Sequence, residues 1–150
     1  MIEINNLTSI EVDKAFLEKI VSEVLKGENI KNKVLLSIVL VGPARMRKLN
    51  KEYRNKNRIT DVLAFPEIDV FFEKFKKIFK KEKSLGEIVI CLREVKNNSK
   101  KFSLSFEKEL ANVLIHGLLH LIGYDHEKEK KEAEKMKQKQ DFYLLKILKL

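Results

Sequence analysis

All three histidines of this 150-residue chain fall within eleven residues, HGLLHLIGYDH, at His116, His120 and His126. Histidines four positions apart on a helix face the same way, about 6 Å apart along the axis. Gly123, between the second and third, can take the left-handed conformation that ends a helix and turns the chain back. That reversal would return His126 to the first two. Three neutral imidazoles would then hold one Zn²⁺ tetrahedrally with water in the fourth position, the pattern of a catalytic site, because structural zinc normally has four protein ligands. The expected metal ligands are therefore His116, His120 and His126. The same spacing occurs in zinc peptidases, but those carry a glutamate where this chain has Gly117. Glycine has no side chain with which to move a proton, so the chemistry must be sought elsewhere.

The elements that would position such a site can be read from composition and periodicity. A length of 150 residues, 44% of them hydrophobic, suits one domain over 1–150 with a full core. Five Gly and two Pro leave little for long connections. MIEINN reads as a short strand. Thr8 followed by Glu11 offers a capping box for a helix from about 10 to 26, with Gly27 at its C-terminal cap. KVLLSIVLV (33–41) reads as a buried strand, Pro43 as the first residue of a helix to about Tyr53, and TDVLAFP (60–66) as a strand stopped by Pro66. GEIVICL (86–92) is a fourth strand. A helix from Ser105 to Ile122, apolar almost all round, belongs in the middle of the fold, and helical periodicity resumes over 127–149. The expected architecture is α/β (α+β): a small mixed sheet of four strands packed with about five helices, one of them a zincin-like metal helix.

Charge and cysteine usage narrow the partners. A net charge of +9 and 31 Lys and Arg favour a polyanion such as nucleic acid, although a solvated Lys–Glu surface gives the same balance. No apolar run is long enough for a membrane span, and the N-terminal residues do not form a secretory signal. The single Cys91 lies in the apolar run EIVICL and reads as a buried structural thiol in a reducing compartment. A cytoplasmic protein without a membrane partner is expected.

HGLLHLIGYDH also matches the H-G-x-L-H-L-x-G-Y-D-H signature of the YbeY family of rRNA maturation factors and single-strand-specific endoribonucleases. LNKEYRNKNRITDVLAFP (49–66) resembles that family's second motif, an Asn-x-x-x-Arg run leading to T-D-V-L-S-F-P. GEIVIC resembles its G-D-I-V-I-C strand. The departures are Ala64 for the usual Ser and Glu87 for the usual Asp. The resemblance implies a zinc-dependent endoribonuclease acting in 16S rRNA 3′-end maturation and ribosome quality control. Its partners would be single-stranded RNA, rRNA and the ribosome, with ribosomal proteins or an assembly GTPase presenting the RNA. Arg54 matches the motif arginine, and its planar fork suits a phosphate clamp or transition-state stabiliser; otherwise it is a surface residue ending a helix.

Other candidates carry two readings each. Asp125 either orients an imidazole or caps the turn. Tyr124 either stacks on a base or packs beside the turn. In the segment 69–84, a protruding loop, hairpin or short amphipathic helix, Lys74, Lys76, Lys77, Lys80 and Lys81 alternate with Phe72, Phe75 and Phe79. Those lysines either contact RNA or form a solvated face. A metallopeptidase is the alternative enzyme, disfavoured by Gly117 and by the placement of Met136 in a Lys/Glu-rich helix rather than a Met-turn. A non-enzymatic ribosome assembly or RNA-binding factor with a structural metal is the other alternative.

Overall fold

The computed structural model describes residues 1–30, 33–67, 83–125 and 129–149. Four strands form one mixed sheet: β1 (Ile2–Asn6), β2 (Val34–Val41), β3 (Val62–Pro66) and β4 (Lys83–Cys91), in the order β1-β2-β4-β3. β1 and β4 flank β2 in parallel, and β3 closes the far edge antiparallel to β4, with Ala64 opposite Ile88. Among the described residues five helices accompany the sheet: α1 (Lys14–Gly27), α2 (Pro43–Arg54), α3 (Leu92–Lys101), α4 (Phe106–Ile122) and α5 (Lys130–Leu148). The α/β architecture is the one expected from the alternation of periodicities.

Strand alternation sorts the side chains into two cores. Leu36, Ile38, Leu40, Ile88 and Ile90 face the larger core, which α1, α3, α4 and α5 complete. Val41, Leu63, Val89 and Cys91 face the other side, where Met46 of α2 covers them. Cys91 is fully buried there, as its apolar run implies, and burial pushes its thiol up from the ordinary value. α4 runs through the larger core with ten buried positions, so its apolar circumference is matched by neighbours on most sides. Ser105 caps it by accepting from the Lys108 amide at 3.1 Å. Among the described residues no helix is long and apolar enough to cross a membrane.

Several sequence expectations change. Helix α1 begins at Lys14, capped by Asp13 rather than by the Thr8–Glu11 box: the Asp13 carboxylate accepts from Ala15 and Phe16 amides at 3.0 and 3.4 Å. Thr8 instead donates to the Asn6 side chain at 2.8 Å and accepts from the Ile10 amide, closing a local turn. Gly27 lies inside the last turn of α1, not at its cap. It is glycine for want of space, because a Cβ there would sit 2.4 Å from the ring of Tyr143.

The third strand starts at Val62 rather than Thr60. β4 begins earlier than Gly86, at Lys83, and Leu92 leaves it to open α3, a helix that the sequence reading left unassigned. Only Leu92, Val95 and Ser99 of α3 are buried, a stripe too thin to stand out among ten mostly polar residues. The aromatic–lysine segment, apart from its last residues, lies outside the described residues, and with it Lys74, Lys76, Lys77, Lys80 and Lys81.

Candidate active site

A cleft of about 770 Å³ opens where α4 passes under β3, bounded by the end of α2 and the chain that follows it. His116 and His120 line it together, their ring centroids 4.8 Å apart and the planes at 76°. Both rings are half-buried, and their placement follows from the i, i+4 spacing on a helix fixed by its apolar neighbours. At the end of α4 Gly123 takes φ 122°, and its amide donates to the Leu119 and His120 carbonyls, each at 3.1 Å. The chain therefore leaves the helix at the glycine, as expected, and carries Asp125 to the cleft wall.

His126 lies outside the described residues. Among the described residues no set of three His, Cys, Asp or Glu side chains stands ready to hold a metal. The two adjacent imidazoles have the chemistry of zinc ligands, and His116 is held by a hydrogen-bond chain along the cleft wall. Its Nδ1 lies 3.0 Å from Oε1 of Gln140 on α5; Gln140 Nε2 donates to Asn112 Oδ1 at 2.6 Å, and Asn112 Nδ2 donates to Glu109 Oε1 at 3.2 Å. Sequence reasoning missed this chain, although a signal was present. Glu109, Asn112, His116 and His120 form one polar stripe along an otherwise apolar helix.

Arg54, the last residue of α2, reaches the cleft from the opposite side, its Nη2 donating to the Ala64 carbonyl at 3.4 Å. Thr60 and Asp61 line the same wall. Lys56 and Arg58 also reach it, and sequence reasoning passed over both in favour of the more conspicuous lysine run. Gly117 is buried under the sheet: a Cβ would meet Ile88 Cγ2 at 3.2 Å and Val62 Cγ2 at 3.4 Å. The residue that removes the peptidase base also permits α4 to approach β3 and β4 closely.

Tyr124 is engaged in packing: its hydroxyl donates to Glu28 Oε1 at 2.6 Å, across 96 positions of sequence. The buried Tyr143 donates to the other oxygen of the same carboxylate, and Lys139 lies 3.3 Å from it. Glu28, just past α1, thus ties the turn of the histidine helix to α1 and α5. Burial pushes Glu28 up, but hydrogen bonds from Tyr124, Tyr143 and Lys139 outweigh it and hold the carboxyl below its usual value. Burial and the Glu28 carboxylate push Tyr124 up to about 12.

A carboxyl lowered on folding stabilises above its unfolded value, about 4.3, and that contribution is lost as pH falls through the folded value. Glu28→Ala is expected to destabilise the fold by about 2–3 kcal/mol at neutral pH, since it leaves the buried Tyr143 hydroxyl without its acceptor. Urea unfolding at pH 7 and pH 3.5 checks this: the gap between variant and wild type should narrow at the lower pH.

The family model for Endoribonuclease YbeY matches residues 3–148. Endoribonuclease YbeY from Thermotoga neapolitana is 40% identical over 134 residues, covering 89% of this chain and 79% of that protein. The Sulfurihydrogenibium protein of the same name is 37% identical over 131 residues, covering 87% of this chain and 81% of its own. The solution structure of TM1509 from Thermotoga maritima superposes with a TM-score of 0.64 at 33% identity, covering 98% of this chain and 89% of that one.

Proposed function

The chain belongs to the endoribonuclease YbeY family, and from that premise we propose that it is a zinc-dependent endoribonuclease specific for single-stranded RNA. Its place would be in the cytoplasm, in 16S rRNA 3′-end maturation and ribosome quality control, with the ribosome as partner. The observation that carries the reading is the meeting of His116, His120 and Arg54 around one cleft of about 770 Å³. When bound by His116, His120 and His126, zinc would supply an acidified water and an electrophile for phosphoryl oxygens.

The remaining work falls to the protein's own groups. The Arg54 guanidinium offers a planar pair of donors to phosphate oxygens, and its charge suits the anion that builds up during phosphodiester hydrolysis. Asp125 lines the cleft wall and would there orient a ligand imidazole. Gly117, at the helix position facing the sheet, itself offers no carboxylate to act as base.

An RNA substrate also agrees with the charge distribution. Residues 43–58 hold seven Lys or Arg and one Glu, a net +6 within a chain of +9. All seven cations are exposed, on α2 and the chain that leads from it to the cleft. Such a face attracts a phosphate backbone and makes binding fall steeply with salt.

Kinetics on a single-stranded oligoribonucleotide and on the same sequence in a duplex test the proposal. Cleavage should favour the single strand, and Arg54→Ala should lower kcat by about 10²–10³, with a smaller change in KM. Arg54→Ala at wild-type rate would remove Arg54 from the chemistry. Ribosome binding without any RNA cleavage would favour an assembly factor whose metal is structural.

A further inference from the structure

We infer that Glu109, Asn112 and Gln140 are positioning residues that fix His116 in its Nδ1–H tautomer, so that Nε2 is the ring nitrogen with the lone pair a metal would take. The direction of the hydrogen-bond chain is set at its far end. A carboxylate only accepts, so Asn112 must turn its Nδ2 toward Glu109 Oε1, the contact found at 3.2 Å. That turns Asn112 Oδ1 the other way, where Gln140 Nε2 donates to it at 2.6 Å. Gln140 is left with its carbonyl Oε1 facing His116 Nδ1 at 3.0 Å. An amide oxygen has no hydrogen to give, so the hydrogen of this bond belongs to Nδ1. Running the chain backwards would require the Glu109 carboxylate to donate.

Burial makes the chain consequential. Glu109 and Gln140 are only 5% and 8% exposed, so bulk water offers their polar groups little replacement. Glu109, Asn112 and His116 share one stripe of α4, while Gln140 is delivered by α5, so the orientation of the ring depends on how those two helices dock. All four side chains lie along the cleft wall where α4 and α5 meet. A neutral imidazole ligates through the nitrogen that lacks hydrogen, and outer partners of this kind typically set ligand affinity by tenfold to a hundredfold.

The consequence for metal binding rests on the reading of His116 as a ligand; the tautomer itself does not. Long-range ¹H–¹⁵N spectra of the full-length protein labelled at histidine, recorded near pH 8.5, report both. After chelation, wild-type His116 should show hydrogen on Nδ1 and a bare Nε2, and added Zn²⁺ should shift Nε2. In Gln140→Met the Nε2–H form should become the major one, and Zn²⁺ affinity should fall by about 10–100-fold. Glu109→Gln keeps the side-chain shape but frees the chain to run in either direction, so an Nε2–H population should appear alongside the wild-type form. That variant also keeps the test open if Gln140→Met folds poorly.

A residue chain with a merely structural role would alter stability and leave the tautomer unchanged in both variants, which would overturn the inference. Zn²⁺ binding to a wild-type protein whose His116 is mainly Nε2–H would also overturn it while sparing the metal reading. An Nδ1–H form whose signals ignore Zn²⁺ would support the tautomer assignment and sink the metal reading instead.

Discussion

His120→Ala should lose zinc and RNA cleavage together, each by more than about a hundredfold. The magnitude follows from comparison: removing a group that merely orients a metal-bound histidine costs about 10–100-fold, and removing the histidine itself must cost more. Among the described residues no group of three His, Cys, Asp or Glu side chains is clustered to hold a metal in its place. The side chain is half-buried at the cleft, so its truncation removes little from the apolar core. The fold should therefore survive and the loss should be chemical. Zinc content by elemental analysis, cleavage of single-stranded RNA and thermal unfolding, measured on one preparation, separate these effects. A variant that unfolds like wild type and retains zinc would exclude His120 as a ligand.

Gly117→Glu has the largest expected effect on stability. It restores the peptidase letter, yet the position is buried and faces Ile88 and Val62, with Cβ contacts already as short as 3.2 Å. Overpacking of this kind costs about 1–3 kcal/mol. A carboxylate against two aliphatic side chains adds a penalty for burying a charge, so the total should exceed about 3 kcal/mol. For a chain of this length that corresponds to a fall in Tm of roughly 6–12 °C or more. Peptidase activity should not appear. Gly117→Ala isolates the packing part and should cost about 1 kcal/mol, since Ile88 must yield by only a few tenths of an ångström. A Gly117→Glu variant that melts like wild type and cleaves a casein-type substrate would contradict the whole account of this position.

What could be read in the sequence was local. The i, i+4 histidines on one helix, the Gly123 turn, Pro43 at the start of α2 and the buried strand over 33–41 each depend on spacing or on one residue's backbone preference, and each appears where expected. What could not be read depended on distant partners. Gly27 resembles a helix cap until Tyr143, more than a hundred residues away, is seen to occupy the space beside it. Tyr124 has the type of a base-stacking residue, but its hydroxyl is directed to Glu28 by the docking of α1 against the turn. Gln140 sits in a stretch dense with charge, and only the pairing of α4 with α5 distinguishes it from its neighbours. The capping box failed for a different reason: Thr8 had a nearer partner in Asn6, and Asp13 was the better placed cap.

The lysine run lies outside the described residues, among which the cations at the cleft, Arg54, Lys56 and Arg58, are spread over α2 and the segment beyond it. A groove is assembled by folding, so its lining does not cluster in the chain. The histidine motif is the exception, because a helix and one turn suffice to build most of it.

The central claim is metal-dependent hydrolysis of RNA at the histidine cleft. It is tested most directly by incubating the full chain with single-stranded RNA and, separately, with an unfolded protein, before chelation, after chelation and after adding back Zn²⁺. The account predicts that RNA alone is cut, that chelation abolishes the cut, and that Zn²⁺ restores it in wild type but not in His120→Ala. Undiminished RNA cleavage after complete metal removal, or cleavage of the protein substrate, would contradict it.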